Sequence, residues 1–171
     1  MSEQVKELDI LSALLAEPCE ESLATLEELA PQLPWLSAEA LIQLQQTPLE
    51  HWQAEHTRLF VSGHPKTPCM PFESVWTEGQ MMGETVLRMS QWYGDAGFKV
   101  EAELPTDFLG TELQFLAFMI EHHREAEEQI ADLLLSLQAW IPKFATAVKI
   151  HTDLLLYKDW AKRLETLFHH E

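Results

Sequence analysis

Apolar residues recur three and four positions apart along most of the chain, which is the signature of amphipathic helices. The first stripe is Val5, Leu8, Leu11, Leu14 and Leu15, with Ser2 placed to cap it and Pro18 to end it. A short second helix carries Leu23, Leu26 and Leu29 before Pro31 and Pro34, and Ser37 opens a third with Leu41, Ile42 and Leu44. Thr47-Pro48-Leu49-Glu50 reads as a capping box with proline at the first helical position. Leu49, Trp52, His56, Leu59 and Phe60 then share one face. After Trp76 the spacing of Met82, Val86, Met89 and Tyr93 predicts one long helix, ended by Gly94 and Gly97. Residues 98–105 alternate without a helical stripe and read as an extended connector or hinge. Thr106 or Asp107 is placed to cap the next helix, with Leu109, Leu113, Leu116 and Ile120 on one face. Another carries Ile130, Leu134, Leu137 and Ile141 up to Pro142, which kinks or restarts it. A helix near Phe144 to Ile150 follows, and Thr152 or Asp153 opens the last, with Tyr157, Trp160, Leu164 and Leu167 aligned. The pattern is all-α, a single helical bundle of about eight or nine helices.

The exception is the stretch from His56 to Trp76, which leaves a helix at Leu59-Phe60 and breaks at Gly63. It then passes Pro65, Pro68 and Pro71 before an aromatic turn. Proline stiffens a segment without ladder partners, and long ordered loops in small domains are commonly functional. Phe60, Met70, Phe72, Val75 and Trp76 make it too apolar for a solvated linker.

Composition narrows the function. The 171 residues suit one domain, and 46% hydrophobic with 23% charged content is that of a soluble globular protein. No run approaches the roughly 18 apolar residues of a membrane span. The N-terminus is acidic and helix-patterned, unlike a signal peptide, so a cytoplasmic location is expected. A net charge of −17 opposes binding to nucleic acid or to anionic membranes; its plainer role is solubility, and it also tolerates or attracts cationic partners. Cys19 and Cys69 lack any paired spacing and read as free thiols.

Candidate chemistry is sparse. None of the eight histidines has a glutamate three residues before it, no HExxH occurs, and adjacent His122 and His123 diverge by about 100° on a helix. A metal site and a resident cofactor are therefore not expected. No nucleophile elbow, P-loop or GxGxxG is present. The carboxylates of Asp107 and Glu112 straddle a helix start, and Phe60, Phe72 and Trp76 with Met70, Met81 and Met82 are suited to an apolar peptide groove. Core packing is the plainer role for each of these apolar residues taken alone.

At these residues the chain resembles the TorD/DmsD-type chaperones of redox-enzyme maturation, with the NarJ-like branch as relatives. The family pattern is an aromatic followed by LFxG, a gap, a proline-containing turn, then a small residue and an aromatic. After a long helix and hinge, an Asp-His pair opens a Leu- and Ala-rich helix. Here Leu59-Phe60-Val61-Ser62-Gly63, Pro71-Phe72-Glu73-Ser74-Val75-Trp76 and Leu104-Pro105-Thr106-Asp107-Phe108 through Leu113 carry the three parts. Phe115-Leu116-Ala117 and Trp140-Ile141-Pro142 extend the likeness. Three positions depart: His56 stands for the leading aromatic, Met70-Pro71 for a double proline, and Phe108 for the histidine, which makes the site more apolar.

The resemblance implies a cytoplasmic, non-enzymatic chaperone. It would bind the twin-arginine signal peptide, the apo-form of a molybdenum-cofactor oxidoreductase, or both, until cofactor insertion is complete and before export. The implied peptide site is Leu59, Phe60, Pro71, Phe72, Glu73, Ser74, Trp76, Asp107, Phe108 and Glu112. The implied domain spans 1–171 in halves 1–97 and 106–171, as a monomer or a dimer swapped about 98–105. The alternatives are a NarJ-like chaperone for the body of an unexported subunit and, from another class, a small metal- or thiol-dependent hydrolase.

Overall fold

The computed structural model describes residues 2–101 and 103–169. Among them every named element is helical: α1 (Glu3–Ala13), α2 (Ser22–Leu29) followed by a 3-10 turn (Ala30–Gln32), α3 (Ala38–Gln45), α4 (Leu49–Phe60), α5 (Glu73–Glu78), α6 (Glu84–Ala96), α7 (Leu109–His122), α8 (Glu127–His151) and α9 (Leu155–Leu167). The all-α class read from the pattern is the class observed. One isolated antiparallel bridge, Phe72 with Phe108, is the extended pairing seen among the described residues.

Two serine caps form as read. Ser2 Oγ accepts from Val5 N at 3.2 Å and Ser37 Oγ from Ala40 N at 3.1 Å, each satisfying an orphan donor of a first helical turn. Thr47 does not cap α4; its hydroxyl turns back to donate to Gln43 O at 2.6 Å, and Pro48 takes the N-cap position. The long helix expected after Trp76 is two helices. Gly79 ends α5 at φ +78°, and Met82 adopts φ +61° just before Gly83 opens α6. Left-handed backbone in two of five residues leaves no continuous ladder. Gly94 lies inside α6, and Gly97 at φ +72° closes it. At Pro142 the outcome is the reverse, since α8 continues through it. Trp140, Ile141, Phe144 and Ala145 are all fully buried, and anchoring on both sides outweighs the roughly 3 kcal/mol penalty of an interior proline.

The chain divides into two compact units. The first holds the chain up to Leu14 together with Pro71–Ile141, and the second holds Leu15–Met70 and Pro142–His169. In the second unit Phe60 stands edge-on to Tyr157 at 5.3 Å and Trp160 at 5.8 Å, with Phe144 at 6.2 Å. Trp52 Nε1 donates to the Tyr157 hydroxyl at 3.2 Å, giving the buried indole its partner. His56 Nε2 donates to Leu15 O at 2.6 Å, and Asp159 accepts from both Ser37 N and Ser37 Oγ, tying α3 to α9. In the first unit α1 packs along α7, and Ser12 Oγ donates to Gly110 O at 2.9 Å. Residues 98–101 and 103–105 lie within this unit, where Phe98 meets Tyr93, Phe115 and Phe118 at 5.2–5.3 Å.

Candidate functional site

The Phe72–Phe108 bridge organises the first unit. Glu73 N donates to Asp107 O at 3.1 Å and Leu109 N to Pro71 O at 2.8 Å, so two motif segments far apart in sequence are paired side by side. The two rings meet at 5.6 Å. Because α5 starts at Glu73 and α7 at Leu109, the bridge fixes where both helices begin.

Asp107 does not cap α7, whose N-cap is Phe108 with no side-chain bond. Its Oδ2 instead accepts from Ser74 N at 2.7 Å and from Thr85 Oγ1 at 3.2 Å. It therefore caps α5 across the bridge and ties in the first turn of α6. Ser74 Oγ bonds Thr85 Oγ1 and accepts from Gly83 N. Glu78 caps α6, accepting from Glu84 N at 2.8 Å and Thr85 N at 3.2 Å, and these backbone donors hold its carboxyl below the usual range.

Beneath this lies a charged cluster. Glu73 is 2% exposed and pairs with Arg88, and Ser136 Oγ accepts from Arg88 Nη2 at 2.8 Å and donates to Glu73 Oε1 at 2.9 Å. The Arg88 guanidinium stands 5.0 Å from the Trp92 ring centroid, within cation–π range. Glu112 is fully buried and accepts from Trp140 Nε1 at 3.3 Å. Burial first, then the charge and hydrogen bond of Glu73, then the charge of Asp107, push its carboxyl well above the ordinary range, against the pull of Trp140. Tyr93 is pushed up by burial and then by the same three acids, which marks how closely they are gathered. Oδ1 of Asp107 and Nε of Arg88 are buried without a partner. An open cavity of about 490 Å³ lies over the cluster, lined by Glu73, Thr77, Glu78, Glu84, Thr85, Arg88, Ser136 and Ala139.

The expected site residues divide accordingly. Pro71, Phe72, Glu73, Ser74, Trp76, Asp107, Phe108 and Glu112 belong to the first unit, and Glu73 reaches the cavity. Phe72, Ser74, Asp107 and Glu112 are buried beneath it, while Trp76 and Phe108 are half-buried. Leu59 and Phe60 belong to the second unit and are buried at 0% and 4% exposure in its core. Gly63 is required locally, because a Cβ there would stand 2.6 Å from Arg58 O and 2.9 Å from Lys66 O. Arg88, Thr85 and Ser136 were not singled out from the sequence, and Trp140 entered only as part of the Trp140-Ile141-Pro142 step. A signal existed in the scarcity of bases, 11 against 28 acids, since a buried Glu73 requires one of those few cations.

Cys69 is buried, its thiol pushed up to about 12 chiefly by burial, so almost no thiolate exists at neutral pH. Among the described residues no three His, Cys, Asp or Glu side chains gather to hold a metal ion. No described helix is long and apolar enough to cross a membrane.

Residues 12–146 match the family described as the nitrate reductase delta subunit. A crystal structure of an Archaeoglobus fulgidus protein, described as a redox enzyme maturation protein, shares the fold with a TM-score of 0.70 and 27% sequence identity. The alignment covers 95% of this chain and 92% of that one. No curated protein matches the chain. With a family match over most of its length and a shared fold from end to end, the chain belongs to the nitrate reductase delta subunit family and is a redox-enzyme maturation chaperone rather than an enzyme.

Proposed function

We propose that the protein is a cytoplasmic chaperone that binds the twin-arginine signal peptide of a molybdenum-cofactor oxidoreductase precursor and holds the apo-enzyme until cofactor insertion, before export. The observation that carries this reading is the carboxylate-floored cavity of the first unit, with Glu73 and Glu84 on its wall and buried Asp107 and Glu112 behind. Arginine guanidinium groups are recognised by carboxylates in fixed geometry, and the pairing of Arg88 with Glu73, braced by the Ser136 hydroxyl, is an internal example. A chain charge of −17 attracts a cationic leader from a distance.

A second reading is favoured by the family that matches, described as a nitrate reductase subunit. In it the protein chaperones the body of an enzyme subunit and the leader is dispensable. Co-purification of a tagged precursor, with and without its leader, separates the two. Loss of capture on removing the leader supports the first reading; undiminished capture contradicts it and supports the second. Exchange about 98–105 between two copies belongs to the same proposal, and light scattering before and after client addition reads it.

A further inference from the structure

The geometry points to a second guanidinium-binding subsite, in the recess lined by Trp92, Asp95, Phe115, Met119, His123 and Asp132, that takes an arginine side chain of an extended peptide. It deepens the signal-peptide reading above and rests on it for the identity of the peptide, but the pocket's chemistry stands on its own residues. The recess encloses about 280 Å³, at the lower end of ligand-sized cavities and enough for one or two side chains. Its floor is apolar: Phe115 and Met119 are 3% and 4% exposed, and Trp92 is half-buried beside them. Its rim is acidic. Asp95 and Asp132 are exposed, and neither has a hydrogen-bond or ion-pair partner among the described residues. His123 is engaged, its Nε2 donating to Ala96 O at 3.1 Å and its Nδ1 lying 3.6 Å from Glu125.

An apolar floor with unpaired carboxylates at its mouth matches a side chain with an apolar stem and a cationic head. Arginine fits better than lysine, because a planar guanidinium stacks on indole and forks to carboxylates. Trp92 already receives one guanidinium, that of Arg88.

Position supports the assignment. On α6, Glu84, Thr85 and Arg88 face the Glu73 cavity, whereas Trp92, Asp95 and Ala96 face the recess. On α8 the order is opposite, with Gln129 and Asp132 at the recess and Ser136 and Ala139 at the cavity. The two hollows therefore follow one another along one antiparallel α6–α8 groove inside the first unit. Four to twelve residues of helix separate their α6 linings, about 6–18 Å at 1.5 Å per residue. An extended peptide covers that in about two to five residues, and long arginine side chains shorten the requirement further.

The test is ¹H–¹⁵N and methyl NMR of the full chain, titrated first with N-acetyl-arginine methylamide and with the neutral citrulline analogue. The expected result is saturable shifts at Ala96, Met119 and Ala126 with the arginine probe, absent with citrulline and reduced at least fivefold in affinity in D95N/D132N. Both aspartates are on the surface, so the variant keeps the wild-type spectrum elsewhere. No shift at those residues overturns the subsite. Titration with a twin-arginine peptide then separates the two claims. A peptide that binds wild type and D95N/D132N equally overturns the subsite and leaves the signal-peptide reading in place. Recess shifts with the arginine probe, together with no binding of the peptide, support the subsite and contradict that reading.

Discussion

Glu112 shows most directly how a single residue's environment becomes a measurable property of this protein. Its folded-state carboxyl lies well above its ordinary 4.5, so the folded chain holds a proton that the unfolded chain releases. Stability from this group is complete below about pH 4.5 and is lost as pH rises toward its folded value. The Glu112→Gln variant keeps the donor and cannot ionise. Its melting temperature is expected to gain on wild type as pH rises above about 4.5, at about 2–4 °C per kcal/mol for a chain of this size. A constant or shrinking margin would place the proton elsewhere. Cys69 gives a second check. With its thiol near 12, roughly one molecule in ten thousand is thiolate at pH 8. Exposed Cys19 is expected to react with iodoacetamide at an ordinary rate, and Cys69 only under denaturant; mass spectrometry of the peptides reads both.

Among the elements, what the sequence could show and what it could not divide along one physical line. Periodicity is local, and every amphipathic stripe that meets its own cap was legible: Ser2 on α1, Ser37 on α3, Gly97 after α6. Pairing between distant segments was not. Asp107 looks like the cap of its own helix, because the grammar of N-caps runs forward along the chain, yet its carboxylate caps α5 across the bridge. The α5–α6 break was hidden because the Met82, Val86, Met89 spacing runs through it, while Gly79 and Met82 at positive φ end the ladder there. Phe72 and Phe108, both expected in the peptide site, pair with each other across the bridge. Removing the shared acceptor should therefore loosen two helices at once. Asp107→Ala is expected to destabilise by about 2–4 kcal/mol in urea, the sum of a lost cap and a second buried bond. Asp107→Asn, which retains an acceptor oxygen, should lose less. Equal losses would show that charge rather than capping is what Asp107 contributes.

For the whole molecule, the class, the family and the chaperone role follow from a helical pattern carrying three ordered motifs. The proposed binding surface did not follow so readily. Motif residues Leu59 and Phe60 are core, and the cavity wall is completed by Arg88, Ser136 and Glu84, which no motif marks. A motif records what the fold must keep, and in this chain much of that is the bridge and the aromatic interior. Binding at an acidic cavity should weaken with salt as the Debye length falls from about 10 Å at 0.1 M to 3 Å at 1 M, and Glu73→Gln should weaken it at least fivefold while the helical circular dichroism is retained. The most direct measurement is calorimetry of the purified chain with a synthetic twin-arginine signal peptide and its double-lysine counterpart. Saturable heat with the arginine peptide and at least tenfold weaker binding of the lysine peptide is the expected result. No heat with either peptide, or equal affinity for both, would contradict guanidinium recognition as the basis of this chaperone's function.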